Sequence, residues 1–225
     1  TYIMKRTILL IAMFCFTVSS IFAQEKKMLT ANDAAYMNRS LYPVGKSVNW
    51  LPNSDKYLFT DNENPNNLMI QDVNAEKAEV FITLDQVNSY LNQAGLDSIK
   101  RLPNLTWIDA TKAYYYSFDQ KNNCVDLNLL DIDANNIKKV TSVPSNAENH
   151  TITLPSLKVA YTIENNLYFA DGDRQVQVTD NPENVVAGQS VHRNEFAING
   201  GIFWSPDGNK LAYYNMDESM VTDYP

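Results

Sequence analysis

The chain predicts an all-β fold: a partial β-propeller of about four blades that carries two short helices. Three observations lead there. The first is a repeat. Lys56-Tyr57-Leu58-Phe59, Lys112-Ala113-Tyr114-Tyr115, Lys158-Val159-Ala160-Tyr161 and Lys210-Leu211-Ala212-Tyr213 share a Lys-apolar-apolar-aromatic pattern, with the lysines 56, 46 and 52 residues apart. The second is what precedes each lysine. Trp50, Trp107 and Trp204 stand ahead of three of them, and Leu154-Pro155 takes that place in the third unit. Turn formers fill the gap, Pro52-Asn53-Ser54-Asp55 in the first unit and Ser205-Pro206-Asp207-Gly208-Asn209 in the last. Proline presets φ and glycine accepts a positive φ, so each unit reads as strand, tight turn, strand. The third is composition: 13 Tyr, 9 Phe and 3 Trp favour strands.

Further strands follow within the units. Leu68-Met69-Ile70, Val125 to Leu130, Leu167-Tyr168-Phe169 and Val176-Gln177-Val178 carry the signal. Several strands per unit at this spacing is the pattern of propeller blades. Lys210-Leu211-Ala212-Tyr213-Tyr214 is apolar on both faces, which fits a blade sandwiched between neighbours. A β-sandwich with coincidental turns is the alternative. With only about four blades of signal, the sequence reads as a piece of a longer propeller.

Residues 4–23 read as a Sec-type signal peptide. Met4 is the apparent initiator, which leaves Thr1 to Ile3 as upstream read-through. Lys5-Arg6 is basic, Ile8 to Phe16 is apolar, and Ala23 precedes the cleavage point at Gln24. Such a segment implies export to the periplasm; retained as an anchor, it would hold the protein at the membrane facing that compartment. Residues 24–47 form a helical lead-in, with a helix over Thr30 to Leu41 capped by Thr30 and with Asp33 in its first turn. Residues 48–225 form the propeller. It is interrupted at 83–95 by a second helix, with Thr83 as cap, Gln86 three residues on, and Gly95 as the stop.

Charge and cysteine content narrow the function. The chain carries a formal net charge of −8, and removal of residues 1–23 leaves 16 bases against 26 acids. Nucleic-acid binding, which depends on counterion release by a basic surface, is therefore not expected. An acidic exported protein does accept cationic ligands such as a peptide's free amino end. Cys15 leaves with the signal, so Cys124 stands alone and no intrachain disulfide forms. Cys124 alternates with Val125, shares a face with Asp126 and Asn128, and has no histidine nearby in sequence; it is not read as a nucleophile. His150 and His192 read as solvated loop residues. No Gly-x-Ser-x-Gly, His-Glu-x-x-His, Cys-x-x-Cys, Walker or dinucleotide motif occurs. No cofactor, no metal and no catalytic residue is therefore expected within these residues. The pairs Asp131/Asp133 and Asp171/Asp173 read as turns.

One segment, Gly188 to Ile198, mixes charge with apolar residues and lacks strand alternation. It is either a structured excursion bearing functional side chains or a plain connecting loop. Its core, Val191-His192-Arg193-Asn194-Glu195-Phe196, is followed by Gly201-Ile202-Phe203-Trp204-Ser205-Pro206-Asp207-Gly208-Asn209-Lys210-Leu211-Ala212-Tyr213-Tyr214 and Met216-Asp217-Glu218-Ser219-Met220-Val221. Together with Leu84 to Asn88 and Leu102 to Trp107, this resembles the dipeptidyl peptidase IV and prolyl tripeptidyl peptidase branch of the prolyl oligopeptidase family. The likeness runs from about residue 28 to 225.

The resemblance implies an eight-bladed propeller capping a C-terminal α/β-hydrolase, with a Ser-Asp-His triad beyond residue 225. It implies cleavage two or three residues from a free amino terminus, typically after Pro or Ala. The substrate-binding residues it implies are Glu195, which would hold the substrate's α-amino group, and its neighbours Asn194 and Arg193. The dipeptidyl enzymes have two adjacent glutamates, whereas Asn194-Glu195 supplies one, as in the tripeptidyl subgroup. Lys121 is the nearest match to the family's carbonyl-binding arginine, and Asn215 stands where related chains have Arg. The implied partners are a peptide substrate and the chain's own hydrolase domain, and a homodimer is compatible with the sequence. The alternative function is a non-catalytic exported propeller acting as a binding or assembly module.

Overall fold

The computed structural model describes residues 30–36, 47–154, 156–191 and 198–222. The chain divides into two compact units, Thr1–Gly45 and Lys46–Pro225. In the first, α1 spans Ala31–Ala35. Thr30 caps it, and a capping box links Asp33 N to Thr30 Oγ1 (3.1 Å) and Thr30 N to Asp33 Oδ2 (3.1 Å). The described helix runs to Ala35 with Tyr36 as C-cap; the cap is as expected, and residues 37–41 of the predicted helix, like the signal segment at 4–23, lie outside the described residues.

The second unit consists of antiparallel sheets in series. The first sheet holds β1 (Asn49–Trp50), β2 (Lys56–Thr60), β3 (Asn67–Asp72) and β4 (Glu79–Thr83). The second holds β5 (Thr106–Trp107), β6 (Lys112–Asp119), β7 (Cys124–Asp131) and β8 (Asn136–Pro144). The third holds β9 (Glu148–Ile152), β10 (Val159–Ile163), β11 (Asn166–Asp171) and β12 (Arg174–Gln177). In each, strands that are consecutive in sequence are neighbours in space. The fourth unit contributes β13 (Val185–Ala187), β14 (Ile202–Trp204), β15 (Leu211–Tyr213) and β16 (Asn215–Asp217). Among the described residues the fold is all-β, with two short helices and the blade architecture of a partial propeller.

The sequence repeat is the blade repeat. Every repeated lysine opens a blade's second strand or immediately precedes it, and the residue after it pairs with the first strand: Trp50 with Tyr57, Trp107 with Ala113, Trp204 with Leu211. In the third blade the partner of Val159 is Ile152. Ile152, and not Leu154-Pro155, thus occupies the tryptophan position. The tight turn is closed identically in all four. Leu51, Ile108, Thr153 and Ser205 each donate N–H to the carbonyl of the repeated lysine, at 3.0, 2.8, 3.0 and 2.9 Å. The lysine head faces an aspartate at the end of the third strand: Lys112 Nζ lies 3.8 Å from Asp131 and Lys158 Nζ 3.9 Å from Asp171, and Lys56 is opposite Asp72. Asp131 and Asp171 are accordingly strand-end residues that open the turns the sequence predicts.

Strands β4, β8, β9, β13 and β16 carry none of the sequence's strand signals; each is defined by its pairing to a neighbour. His150 lies within β9, so it is a strand residue and not a loop residue.

Three apolar clusters join the sheets in order. The first joins Ile82 of β4 to Tyr115, Leu130 and Ile137 of the second sheet. The second joins Leu127 and Val143 to Val159, Tyr161 and Ala170. The third joins Ala160 and Leu167 to Ala187 and Ile202. Strand β10 therefore packs on both faces, and Val159 to Thr162 are all buried. Sheets stacked in series, each covered on both sides by the next, are blades; a two-layer sandwich gives each sheet one covered face.

The insertion after β4 is α2 (Leu84–Gln93). Thr83 and Gln86 form its capping box. Leu96 N donates to Leu91 O (2.9 Å) and Gly95 N to Asn92 O (3.1 Å), a Schellman ending with Gly95 at φ +72°. Val87, Tyr90 and Leu91 recur on one face and enter the first cluster, so the helix packs between the first two blades.

Candidate functional site

The first strand of the fourth blade is split. β14 pairs with β15 from Trp204–Leu211 to Ile202–Tyr213, and β13 pairs with β16 from Ala187–Asn215 to Val185–Asp217. The two partners follow each other along one strand, broken only at Tyr214. At that residue Tyr214 N donates to Gly201 O (3.0 Å) and Gly188 N donates to Tyr214 O (2.8 Å). Ala187 and Ile202 are thus adjacent in the sheet, and residues 188–201 leave it between them.

The neck of this excursion is built from backbone. A Cβ placed on Gly201 would lie 2.3 Å from Gln189 C and 2.6 Å from Gly188 O. Gly188 has φ +74°, and a Cβ there would meet Thr162, Ile202 and Leu167 at 2.9 to 3.2 Å. Only glycine permits two strands to cross this closely. Above the neck, buried Ser190 donates Oγ to Ile198 O (2.7 Å), and Gln189 Nε2 reaches Glu164 O (3.1 Å). Val191 and Ile198, where the described chain leaves and re-enters, are both exposed. Phe203 and Tyr214 pair edge to face at 5.5 Å beside the neck. Trp204 Nε1 donates to Thr151 O (3.2 Å) and ties the split strand to the first strand of the third blade.

The predicted binding residues Arg193, Asn194 and Glu195 lie outside the described residues, as does His192. The structure describes the two ends of the segment that carries them, Val191 and Ile198; sequence reasoning gives no role to the glycines that close its neck. The signal for them is a glycine on either side of a segment that interrupts one strand.

The other singled-out side chains have structural environments. Lys121 sits in the β6–β7 turn, where its N–H and that of Asn122 donate to Asp119 Oδ1 at 2.9 and 3.1 Å. Asn215 lies in β16, and its Oδ1 accepts from Asn181 Nδ2 (3.0 Å). Cys124 is half-buried, and burial, with the Asp126 carboxylate, pushes its thiol pKa up. That is the opposite of an activated nucleophile. Asp119, Cys124 and Asp126 bring their ligand atoms within 4.8 Å of one another. However, Asp126 Oδ1 already accepts from Ser142 Oγ (2.6 Å) and pairs with Lys139 Nζ (2.9 Å). His150 stacks on Tyr116 at 5.9 Å and meets Tyr161 edge-on at 6.5 Å. Burial of the ring lowers its pKa, partly offset by a hydrogen bond with the Ala147 backbone.

The profile of the dipeptidyl peptidase IV (DPP IV) N-terminal region matches residues 102–225. A Bacteroides ovatus ATCC 8483 structure, described as that of a dipeptidyl aminopeptidase IV, is 32% identical with a TM-score of 0.61 over 80% of this chain and 25% of its own. Porphyromonas gingivalis dipeptidyl peptidase 4 shares the fold at 18% identity and a TM-score of 0.52, over 89% of this chain and 29% of its own. The chain therefore spans between a quarter and three-tenths of the length of these relatives.

Proposed function

The chain belongs to the dipeptidyl peptidase IV family, and from that premise we propose that it is the substrate-gating propeller portion of an exported serine exopeptidase. The parent enzyme removes N-terminal di- or tripeptides after Pro or Ala. Its Ser-Asp-His triad lies on a hydrolase domain encoded beyond residue 225. The signal segment at residues 4–23 directs it to the periplasm. Among the described residues no helix is long and apolar enough to cross a membrane.

Within this reading, Glu195 holds the substrate's α-ammonium group. A carboxylate shielded from bulk water pairs strongly with an ammonium, and it rejects an acylated terminus, which lacks the charge, and an extended one, which carries its ammonium beyond reach. Anchoring the amine fixes the distance to the scissile bond, so cleavage falls at a set number of residues. Asn194 supplies no second carboxylate, which favours the longer, tripeptidyl register.

One observation carries the proposal. The segment that bears these residues leaves the blade through a neck held in register on both sides of Tyr214. A plain connector between blades has no need to interrupt a strand and rejoin it at the next pairing position.

The test is Glu195→Gln in the full-length protein. A charge-assisted hydrogen bond contributes about 1.5–3 kcal/mol, so KM for free-amino peptides is expected to rise about 10- to 100-fold, with kcat changed less. The residual preference over N-acetylated peptides should collapse. Unchanged KM and unchanged preference would overturn the role.

A further inference from the structure

A second candidate binding feature lies away from the excursion. Between the first two blades is a groove of about 530 Å³, within the size range of small-ligand sites. Leu58 and Leu68 form one wall, and Trp107 with the strap over residues 101–105 forms the other. The strap is a built wall. Asn88 of α2 clamps its approach through two hydrogen bonds, accepting from Ile99 N (2.8 Å) and donating to Ile99 O (3.1 Å). Leu102 and Leu105 then anchor the strap in the first apolar cluster.

The polar lining is selective. Arg101 is the one charged residue that lines the groove; Asn49 and Asn104 are neutral. Among the described residues Arg101 joins no ion pair, although the chain is strongly acidic. Arg101 is exposed at the groove's edge, and a guanidinium fork beside a groove of mixed polar and apolar lining with Trp107 in its wall suits a carboxylate attached to an apolar body. The asparagines can bond peptide N–H and C=O groups.

We propose that this groove binds a short peptide through its free C-terminal carboxylate, with Arg101 holding the carboxylate and an apolar C-terminal side chain lying against the partly exposed Leu68 and Trp107. The site is independent of amine recognition by Glu195, and the experiment keeps the two apart. The probe is N-acetyl-Leu-Leu, which has no free amine, as the acid and as the C-terminal amide. Calorimetric titration into the full-length protein reads the affinities. The acid should bind at least 10-fold more tightly than the amide, and the advantage should shrink as salt is raised. Arg101→Gln should bring the acid down to the amide's affinity, whereas Arg101→Lys should keep part of the advantage. Binding of the acid should change tryptophan emission in the unsubstituted protein but not in Trp107→Phe. Equal affinity of acid and amide in the unsubstituted protein, absence of binding by either, or an acid advantage that survives Arg101→Gln would each overturn the proposal. The acid–amide comparison needs no variant, so a folding defect in Arg101→Gln does not blunt it.

Discussion

The Gly188–Gly201 neck makes a quantitative prediction for Gly201→Ala. The added methyl would lie 2.3 Å from Gln189 C, 2.4 Å from Gln189 O and 2.6 Å from Gly188 O. All three are backbone atoms, so no rotamer change relieves the overlap. Ordinary carbon contacts are about 3.5–4 Å, so the crossing strands must part by roughly 1 Å. Parting breaks or stretches the two bonds at Tyr214, which contribute about 0.5–1.5 kcal/mol each. If they hold, the strain of an overpacked site, about 1–3 kcal/mol, remains instead. Because one cost partly relieves the other, the expected loss is about 2–4 kcal/mol. The control is its neighbour. A Cβ on Gly200 meets only the Phe203 ring, at 3.4 Å, and a ring can shift; Gly200→Ala should cost less than about 1 kcal/mol. The assay is hydrogen exchange of the peptide containing Tyr214 in the full-length protein, with denaturant midpoints alongside. Gly201→Ala should speed Tyr214 exchange at least tenfold and leave β6–β8 unchanged. Equal effects of the two substitutions, or native protection at Tyr214 in Gly201→Ala, would show that the backbone crossing is not what holds the excursion.

Three further outcomes are expected. Asp126→Ala removes the acceptor of the Ser142 hydroxyl and the partner of the exposed Lys139 ammonium, and should cost about 1–2 kcal/mol by chemical denaturation; Asp126→Asn, which keeps an acceptor for Ser142, should cost less. Cys124 should alkylate slowly near neutral pH because its thiol pKa is raised, and Asp126→Asn should accelerate the reaction by removing the neighbouring negative charge; rates against iodoacetamide across pH 7–9 decide this. His150 has a folded pKa below its usual 6.5, so the unfolded chain takes up the proton first. Stability should therefore be complete above about pH 6.5 and fall as pH drops from there toward the folded value. His150→Phe should flatten that part of a pH series of denaturation midpoints.

Much of this fold was legible in the sequence because its strongest signals are local. The Trp-turn-Lys units predict a hairpin from backbone chemistry alone, and four copies at similar spacing imply blades. The two capping boxes, at Thr30 and Thr83, need only a side chain three residues from its partner. The strands that escaped notice are those whose identity depends on pairing. β8 has Lys138 and Lys139 in its middle, and β9 reads Glu148-Asn149-His150-Thr151-Ile152, so neither advertises a strand until a neighbour supplies hydrogen bonds. Misplacement of the third tryptophan position at Leu154 has the same origin. Its counterpart is defined by register with Val159, and register is a property of two strands.

The candidate sites divide along the same line. The residue types and order around Glu195 suggest amine recognition from sequence alone, because a carboxylate's chemistry travels with its side chain. That this segment interrupts a strand and rejoins it at the next residue pair depends on contacts between positions far apart in the chain, such as Gly188 with Tyr214 and Trp204 with Thr151. The groove around Arg101 likewise exists only where a strap, a helix and two sheets converge. Sequence determined the repeating unit, the caps and the chemical candidates, all set by bonds within a few residues. Tertiary structure decided which sheet covers which face and how the excursion is held, because those follow from close packing of surfaces that no local pattern specifies.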